Sequence, residues 1–365
     1  MEKKKILVSA PGRLCLLGEH QDYFGLPIIA AAINLRIYIT GIRTDEKHIK
    51  LALPDIGEKD EFPVGKELPY SQERDYLKSA VNILLRKKIL PESGWKARVR
   101  GSIPINSGTA SSSALVVAWI GFLLKASGDT RASSPKEIAE LAFQSEVAEF
   151  KEPGGKMDHY SSALGRVISI HFGKNLRVNS FKSPLKNFVL ADSLIRKNTT
   201  GTLGFIKSHV LKAVSLIKNN ISDFNLKSPL NSDIKEEIEK LPATEKRLLK
   251  GTLMTKDITA QGENLFKQKK FDHEKFGTLL SRQQDVIRNY LQISSPKIDK
   301  MIDTALDSGA LGAKINGSGE GGCIFAYTPN NAELVAKKLE NLGAKAYIVH
   351  VDKGITIHEN NEHHS

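Results

Sequence analysis

The chain has 365 residues, 40% of them hydrophobic and 26% charged; this is a globular composition, not a disordered or fibrous one, and the length exceeds what one core usually fills, so two packed domains are expected. The main apolar run, Ala114 to Leu124, falls short of the about 20 residues of a bilayer span, and Met1-Glu2-Lys3-Lys4-Lys5 passes into Ile6-Leu7-Val8 without an apolar signal segment, so no membrane segment, no export and a cytoplasmic location are expected. The net charge of +12 would suit a nucleic acid, but Lys3 to Lys5, Arg86 to Lys88 and Lys267 to Lys270 are separate runs without interleaved aromatics; they read as solvated faces, which leaves a nucleotide or a phosphorylated small molecule as the expected anionic partner and nucleic acid as none.

Taken in chain order, Lys5 to Ala10, Ile28 to Ile42 and Trp95 to Arg100 carry alternating or continuous apolar and β-branched residues and predict strands of one sheet. Leu115 to Lys125 predicts an apolar helix. Ser134-Pro135-Lys136-Glu137 combines an N-cap serine, proline at the first helical position and glutamate three residues after the cap, a capping box that opens a helix to about Phe150. Arg166 to Phe172 and Asn187 to Ala191 return to strand. Helical periodicity follows at Thr202 to Lys218, Asp233 to Leu241, Thr244 to Thr255, Glu274 to Tyr290 and Lys297 to Leu306. The chain closes with strands at Ala313 to Asn316 and Cys323 to Thr328, a helix at Ala332 to Leu342, a strand at Lys345 to Val351, and a tail from Glu359 to Ser365 that is expected to fray. The two cysteines, Cys15 and Cys323, form no framework of spacings; a reducing compartment fits them, and a single disulfide is the alternative.

Three segments carry chemistry. The first, Ala10 to Gly25, follows an apolar strand and, in Gly18-Glu19-His20-Gln21-Asp22-Tyr23-Phe24-Gly25, crowds two acids, an imidazole and a phenol between two glycines, costly to bury and suited to binding hydroxyls, although Asp, Tyr and Gly also make ordinary turns. Gly101 to Ala114 is a loop of small residues feeding a helix N-terminus, where backbone amides and the helix dipole can cradle a phosphate; a serine-capped flexible turn has the same composition, and the Gly-Lys-Ser/Thr ending of a Walker loop is missing. Gly312 to Phe325 holds Gly317, Gly319, Gly321 and Gly322 between two strands, the wrong setting for a dinucleotide fingerprint and the right one for a loop that approaches a ligand or another backbone closely.

In this order and at this spacing the three segments resemble the signature motifs of the GHMP kinases, and Gly18 to Tyr23 with Glu152-Pro153-Gly154-Gly155-Lys156-Met157-Asp158-His159 and the stretch Phe276 to Asp299 resemble the galactokinase branch in particular. The resemblance implies a two-domain α+β fold: an N-terminal domain of the ribosomal-protein-S5-domain-2-like type over 1–180, a ferredoxin-like α+β domain over 181–358, and an active site in the cleft between them. It implies ATP-dependent phosphorylation of the anomeric hydroxyl of a monosaccharide, D-galactose first, with ATP and Mg2+ as cofactors, by a monomer or weak dimer. Arg13 and Asp158 would be catalytic. Glu19, His20, Asp22 and Gly155 would bind the sugar; Ser107, Gly108, Ala110, Ser111, Ser112, Ser113, Gly317 and Gly319 would border the nucleotide; Ser112, or a neighbouring serine of 111–113, and Glu146 would hold the metal.

Departures from the family pattern are visible. The sugar-contacting tyrosine expected after Val189-Leu190-Ala191-Asp192-Ser193 falls near Gly204-Phe205, the second motif has Asn106 and Thr109-Ala110 where glycine and leucine are usual, and Glu320 sits among the glycines of the third. These leave room for another hexose, a pentose, a uronic acid, or a non-catalytic sensor of ATP and sugar. A mevalonate-type kinase is disfavoured by Asp22-Tyr23 and Met157-Asp158.

Overall fold

The structure, a computed structural model, describes residues 3–105, 108–173, 175–195 and 199–362. Its first sheet begins with β1 (Lys3–Leu17) and β2 (Ile28–Thr44), which pair antiparallel along nearly their whole length, and continues through β3 (His48–Leu53) and β4 (Glu58–Pro63). After α1 (Tyr76–Arg86), β5 (Gly94–Gly101) inserts between β2 and β3, pairing parallel with β3. Three helices follow, α2 (Ser111–Ala126), α3 (Pro135–Phe143) and α4 (Met157–Leu164), then β6 (Val167–His171) and β7 (Arg177–Phe181), which extend the sheet beside β2.

The second sheet opens with β8 (Phe188–Asp192). Five helices intervene: α5 (Thr199–Lys218), α6 (Ser232–Lys240), α7 (Ala243–Phe266), α8 (His273–Val286) and α9 (Pro296–Asp307). Then come β9 (Gly312–Asn316), β10 (Cys323–Tyr327), α10 (Ala332–Glu340) and β11 (Lys345–Val349), giving the antiparallel order β11-β8-β10-β9, the ferredoxin-like arrangement. Finally β12 (Thr356–Glu362) leaves this unit and pairs antiparallel with β1 on the edge of the first sheet. The expectation of a frayed tail from Glu359 is therefore corrected: Glu359 pairs with Ile6 and forms ion pairs with Lys4 and Lys125. Residues 363–365 lie outside the described residues.

Side-chain alternation explains how one strand pair serves both halves. Along β2, Ile28 and Ala30 face the core under α2 and α4, whereas Ile29, Ala31 and Ile33 face a second core shared with Phe188, Leu190, Phe276 and Phe325. A strand buried on both faces reads as a continuous apolar run, which is what Ile28 to Ile33 shows. Helix α2 is likewise apolar nearly all round, with Val116, Trp119, Phe122 and Leu123 fully buried; each such large side chain contributes about 1.5–3 kcal/mol of transfer free energy. Cys15 and Cys323 remain buried free thiols. Among the described residues no helix is long and apolar enough to cross a membrane.

Strands β3, β4, β7 and β12 and helices α1 and α4 lie outside the elements expected from sequence. The β3–β4 hairpin is short and charged on one face, β7 is largely exposed, and α4 has only 8 residues, whereas α1 carries a local signal: Asp75 caps it by accepting from the Lys78 amide, and Ala80, Val81 and Leu84 give it a buried stripe. Helix boundaries also moved. The Ser134 cap is present, accepting from Glu137 N, but regular helix stops at Phe143 and passes into a π-turn, Gln144–Ala148; the helix expected from Thr244 to Thr255 runs on to Phe266.

The chain's last segment is locked by Arg36. Its buried guanidinium donates from Nε to Ser9 Oγ (3.0 Å), from Nη1 to Asp352 Oδ2 (2.8 Å) and Lys353 O (2.9 Å), and from Nη2 to Ser9 O (3.0 Å) and Gly354 O (2.7 Å). Arg36→Ala leaves these acceptors without their donor and is expected to lower unfolding free energy by about 3 kcal/mol. Arg36→Lys, with one point charge in place of the planar fork, should recover only part of the loss. Urea unfolding of the three proteins checks this, and an unchanged Arg36→Ala midpoint would refute it.

Candidate active site

The end of β1 is irregular. Register shifts between Pro11 and Arg13 and between Cys15 and Leu17 turn Arg13 toward the loop that precedes α2. Its amide donates to Thr109 O (3.1 Å), its Nη1 donates to Gly108 O, and its Nε donates to Asp158 Oδ1 at 2.8 Å. Arg13 is only 3% exposed, whereas the Asp158 side chain, in the first turn of α4, keeps 28% exposure. Burial works against the Arg13 charge, but Asp158 and Glu19 outweigh it and hold the guanidinium above its ordinary range. Arg13 and the Glu152–His159 stretch thus meet as a cation and an accessible carboxylate.

Beside them sits half-buried Asp22. Its Oδ1 accepts from Tyr23 N (2.9 Å) and its Oδ2 from Met157 N (3.3 Å). Burial, followed by repulsion from Asp158, pushes its carboxyl up to about 6 despite those two amides and Arg13. Gly155 is obligatory here, because a Cβ at that position would lie 2.2 Å from Asp22 Oδ2. His20 accepts or donates through Nδ1 to Tyr23 Oη at 2.7 Å and lines the same cavity as Asp22, Gly155 and Leu203. Phe205, near the expected tyrosine, is 50% exposed and Leu203 faces the cavity in its place.

Glu19 has a structural task. Its Oε2 pairs with Lys314 Nζ (2.5 Å) and its Oε1 accepts from Gly317 N (2.6 Å), both inside the protein. The carboxylate borders the cavity but joins the first motif to the third, and its capacity for a ligand hydroxyl is what remains after those two bonds.

The small-residue loop expected to cradle a phosphate does lead into a helix N-terminus: Ala110 stands at the N-cap of α2 with φ +60°, and its methyl side chain makes no cap hydrogen bond to the first amides. Gly108, Ala110, Ser111, Ser112 and Ser113 all line the cavity. Ser112 is exposed, Ser111 partly so and Ser113 buried, which makes Ser112 the most accessible of the three hydroxyls. Ser107 and Asn106 lie outside the described residues. From the third motif, Gly317 and Ser318 line the cavity; Gly317 packs its Cα against Gly108, at φ +90°. Gly319 is not among the lining residues and instead abuts Ile293, so Ser318 takes the place expected for it. Glu320 turns away from the phosphate end, its Oε2 accepting from Thr202 Oγ1 at 2.8 Å, which removes the conflict of an acid beside a phosphate loop.

Glu146 lies in the π-turn and also lines the cavity, with Oε2 bonded to His159 Nε2 at 2.7 Å. Among the described residues no group of three or more His, Cys, Asp and Glu side chains is gathered to hold a metal. A serine hydroxyl and one carboxylate on one cavity wall nevertheless fit Mg2+, which is commonly held by one or two carboxylates with water and substrate phosphates completing the shell. Sequence reasoning missed the apolar lining residues Leu53, Ile56, Val99 and Ile105 and, with them, Arg74 and Tyr76. Alternation within strands could have marked only Leu53 in β3 and Val99 in β5, since Ile56 and Ile105 lie in turns. The cavity measures about 440 Å³, within the range of small-molecule sites.

Three family models match the chain in sequence order: the galactokinase galactose-binding signature over residues 1–42, the GHMP kinases N terminal domain over 75–166 and GHMP kinases C terminal over 263–345. The chain is similar to a mevalonate kinase of Pyrococcus furiosus, 28% identical over 97% of this chain and 99% of that protein, and to a galactokinase of Glaesserella parasuis, 26% identical over 91% and 87%. In fold it is similar to Lactococcus lactis galactokinase complexed with galactose, with TM-score 0.82 at 20% identity, covering 96% of this chain and 95% of that one. A small-residue loop at the start of α2, an arginine paired to a partly exposed carboxylate and motif matches from the first strand to the last sheet lead to one family: the chain belongs to the GHMP kinases, ATP-dependent phosphotransferases with this two-domain α+β fold.

Proposed function

We propose that the protein transfers the γ-phosphoryl group of ATP to the anomeric hydroxyl of a monosaccharide, with D-galactose as its first candidate. The observation that carries the reading is the second carboxylate: Asp22, set beside Asp158 and against Gly155, is an acceptor for ring hydroxyls within reach of the transfer site. The galactose-binding signature over residues 1–42 supports it.

In this reading the sugar lies over Asp22, His20 and Gly155, with the ATP phosphates on the amides at the start of α2 and against Gly317. Asp158 orients the anomeric hydroxyl and takes its proton as the new O–P bond forms and the bond from the γ-phosphorus to the β,γ-bridging oxygen breaks. Arg13 neutralises charge on the equatorial oxygens, and its bond to Asp158 holds that carboxylate aimed. Ser112 and Glu146 would hold Mg2+, which when bound screens the β- and γ-phosphates. Little covalent chemistry is asked of the protein; positioning and charge supply most of the acceleration.

Phosphorylation of mevalonate is the second reading, favoured by the end-to-end similarity to the Pyrococcus furiosus mevalonate kinase and by the apolar Leu203 on the acceptor wall. A coupled ATP turnover screen over D-galactose, other hexoses, pentoses, uronic acids and mevalonate separates the two, with phosphorus NMR fixing the esterified position. A galactose 1-phosphate product is expected. Turnover on mevalonate alone transfers the assignment, and ATP binding without turnover on any acceptor identifies a sensor.

Asp158→Asn should lower kcat by about 10²–10⁴-fold with little change in the acceptor KM, since a positioned base contributes about that much; stopped-time assays at saturating ATP measure it, and wild-type turnover would overturn the base assignment. Asp22 sets a pH dependence. Its carboxyl, held up at about 6, is ionised above that value and protonated below it, so the acceptor KM should rise as pH falls through about 6. In Asp22→Asn that dependence should vanish and KM be high throughout. A wild-type KM flat from pH 5 to 8 would remove Asp22 from acceptor binding.

A further inference from the structure

The π-turn at Gln144–Ala148 places Glu146 by an identifiable device. Glu149 N donates to Gln144 O at 3.0 Å, one residue further back than in an α-helix, which leaves Ser145 O without its usual amide. The Ser79 hydroxyl of α1 donates to that carbonyl at 2.7 Å, and both serines are fully buried. The turn is thus held open from outside the helix, and it carries Glu146 to the cavity wall.

What fixes the carboxylate once it is there is His159. It follows Asp158 in α4, is 2% exposed, and meets Glu146 Oε2 through Nε2 at 2.7 Å. A carboxylate only accepts, so Nε2 carries the hydrogen and donates. The other ring nitrogen, Nδ1, is buried without a hydrogen-bond partner, and the ring stands edge-on to Phe143 with centroids 5.7 Å apart. Packing alone does not explain this residue: an aliphatic side chain would fill the space against Phe143 and bury no orphan nitrogen. The bond to Glu146 is the feature an aliphatic side chain could not supply.

We propose that His159 is a positioning residue for the metal carboxylate: by holding Oε2 it fixes the Glu146 rotamer and leaves Oε1 turned to the phosphate end of the cavity. Since His159 adjoins Asp158 in α4, the carboxylate that orients the acceptor and the one that holds the metal are set by consecutive residues of one helix turn. The proposal rests on the reading of Glu146 as a metal ligand, and the experiment separates the two.

Mn2+ is titrated by electron paramagnetic resonance into the full-length protein saturated with a non-hydrolysable ATP analogue, and analogue affinity is measured separately in EDTA. Glu146→Gln tests the ligand reading and should weaken Mn2+ binding. His159→Leu should weaken it about 10–100-fold, the usual cost of removing a partner that orients a metal ligand, with metal-free analogue affinity unchanged. His159→Gln, whose amide can donate to the same oxygen, should restore most of it. Wild-type Mn2+ affinity in His159→Leu alongside a weakened Glu146→Gln overturns the positioning role alone, as does a His159→Gln variant no better than His159→Leu. Wild-type affinity in Glu146→Gln overturns the ligand reading and the positioning role with it. Should His159→Leu not fold, His159→Met is a second donor-free side chain for the same comparison.

Discussion

Lys314 has no exposed surface, and Glu19, its partner, is 2% exposed. Neither charge could be buried alone, and together they are tolerated because all three ammonium hydrogens are used and both carboxylate oxygens are engaged: Lys314 Nζ also donates to Cys15 O (3.0 Å) and Ile315 O (2.7 Å), and Glu19 Oε1 takes the Gly317 amide. The pair joins the end of the first strand to the second sheet. Its neighbour Asn316 adds the rest of the joint, accepting from Cys15 N (2.9 Å) and donating to Arg13 O (3.3 Å) and Gly108 O (3.0 Å). Three segments remote in sequence are thereby set at fixed distances around Arg13. A residue type that reads as a ligand group in sequence is used here as the bolt that positions the ligand groups.

Around that joint the charges are out of balance in a purposeful way. Asp22, Asp158 and Glu19 surround a single guanidinium and one ammonium that is fully occupied. Burial first, and then repulsion from Asp158, pushes the Asp22 carboxyl upward. The start of α2, which lines the same cavity, has Ala110 at its N-cap and so no cap bond from that residue's side chain. In the proposed reading the acceptor meets the carboxylates and the phosphates meet the positive end of the α2 dipole, two ligands of opposite need.

The sequence made some of this legible and hid the rest for definable reasons. Long apolar or capped elements such as α2, α3 and β2 announce themselves, since burial pattern and cap chemistry are local. The hydroxyl-binding segment, the small-residue loop and the glycine-rich hairpin stood out because such residues are costly or structurally permissive. What remained hidden depends on contacts across the fold. That Glu19 would meet Lys314 and that Glu146 would sit in a π-turn wedged by Ser79 are matters of register between elements 66 to 295 positions apart, and that Leu203 and not Phe205 would line the cavity is set by the same long-range packing, on which local pattern is silent.

The pairing of β12 with β1 has a kinetic meaning. The Ser9 and Thr356 hydroxyls, 2.8 Å apart, are separated by 347 positions, and the strand that covers the outer edge of β1 is the last element of the described chain. During synthesis the large sheet can assemble its inner strands early, yet β1 keeps a row of unpaired amides and carbonyls until residue 362 has emerged. Contacts of such sequence separation slow the final step of folding. The nascent chain thus passes through a state in which the strand that carries Arg13 is also its exposed, association-prone edge, and that state ends when β12 closes over it.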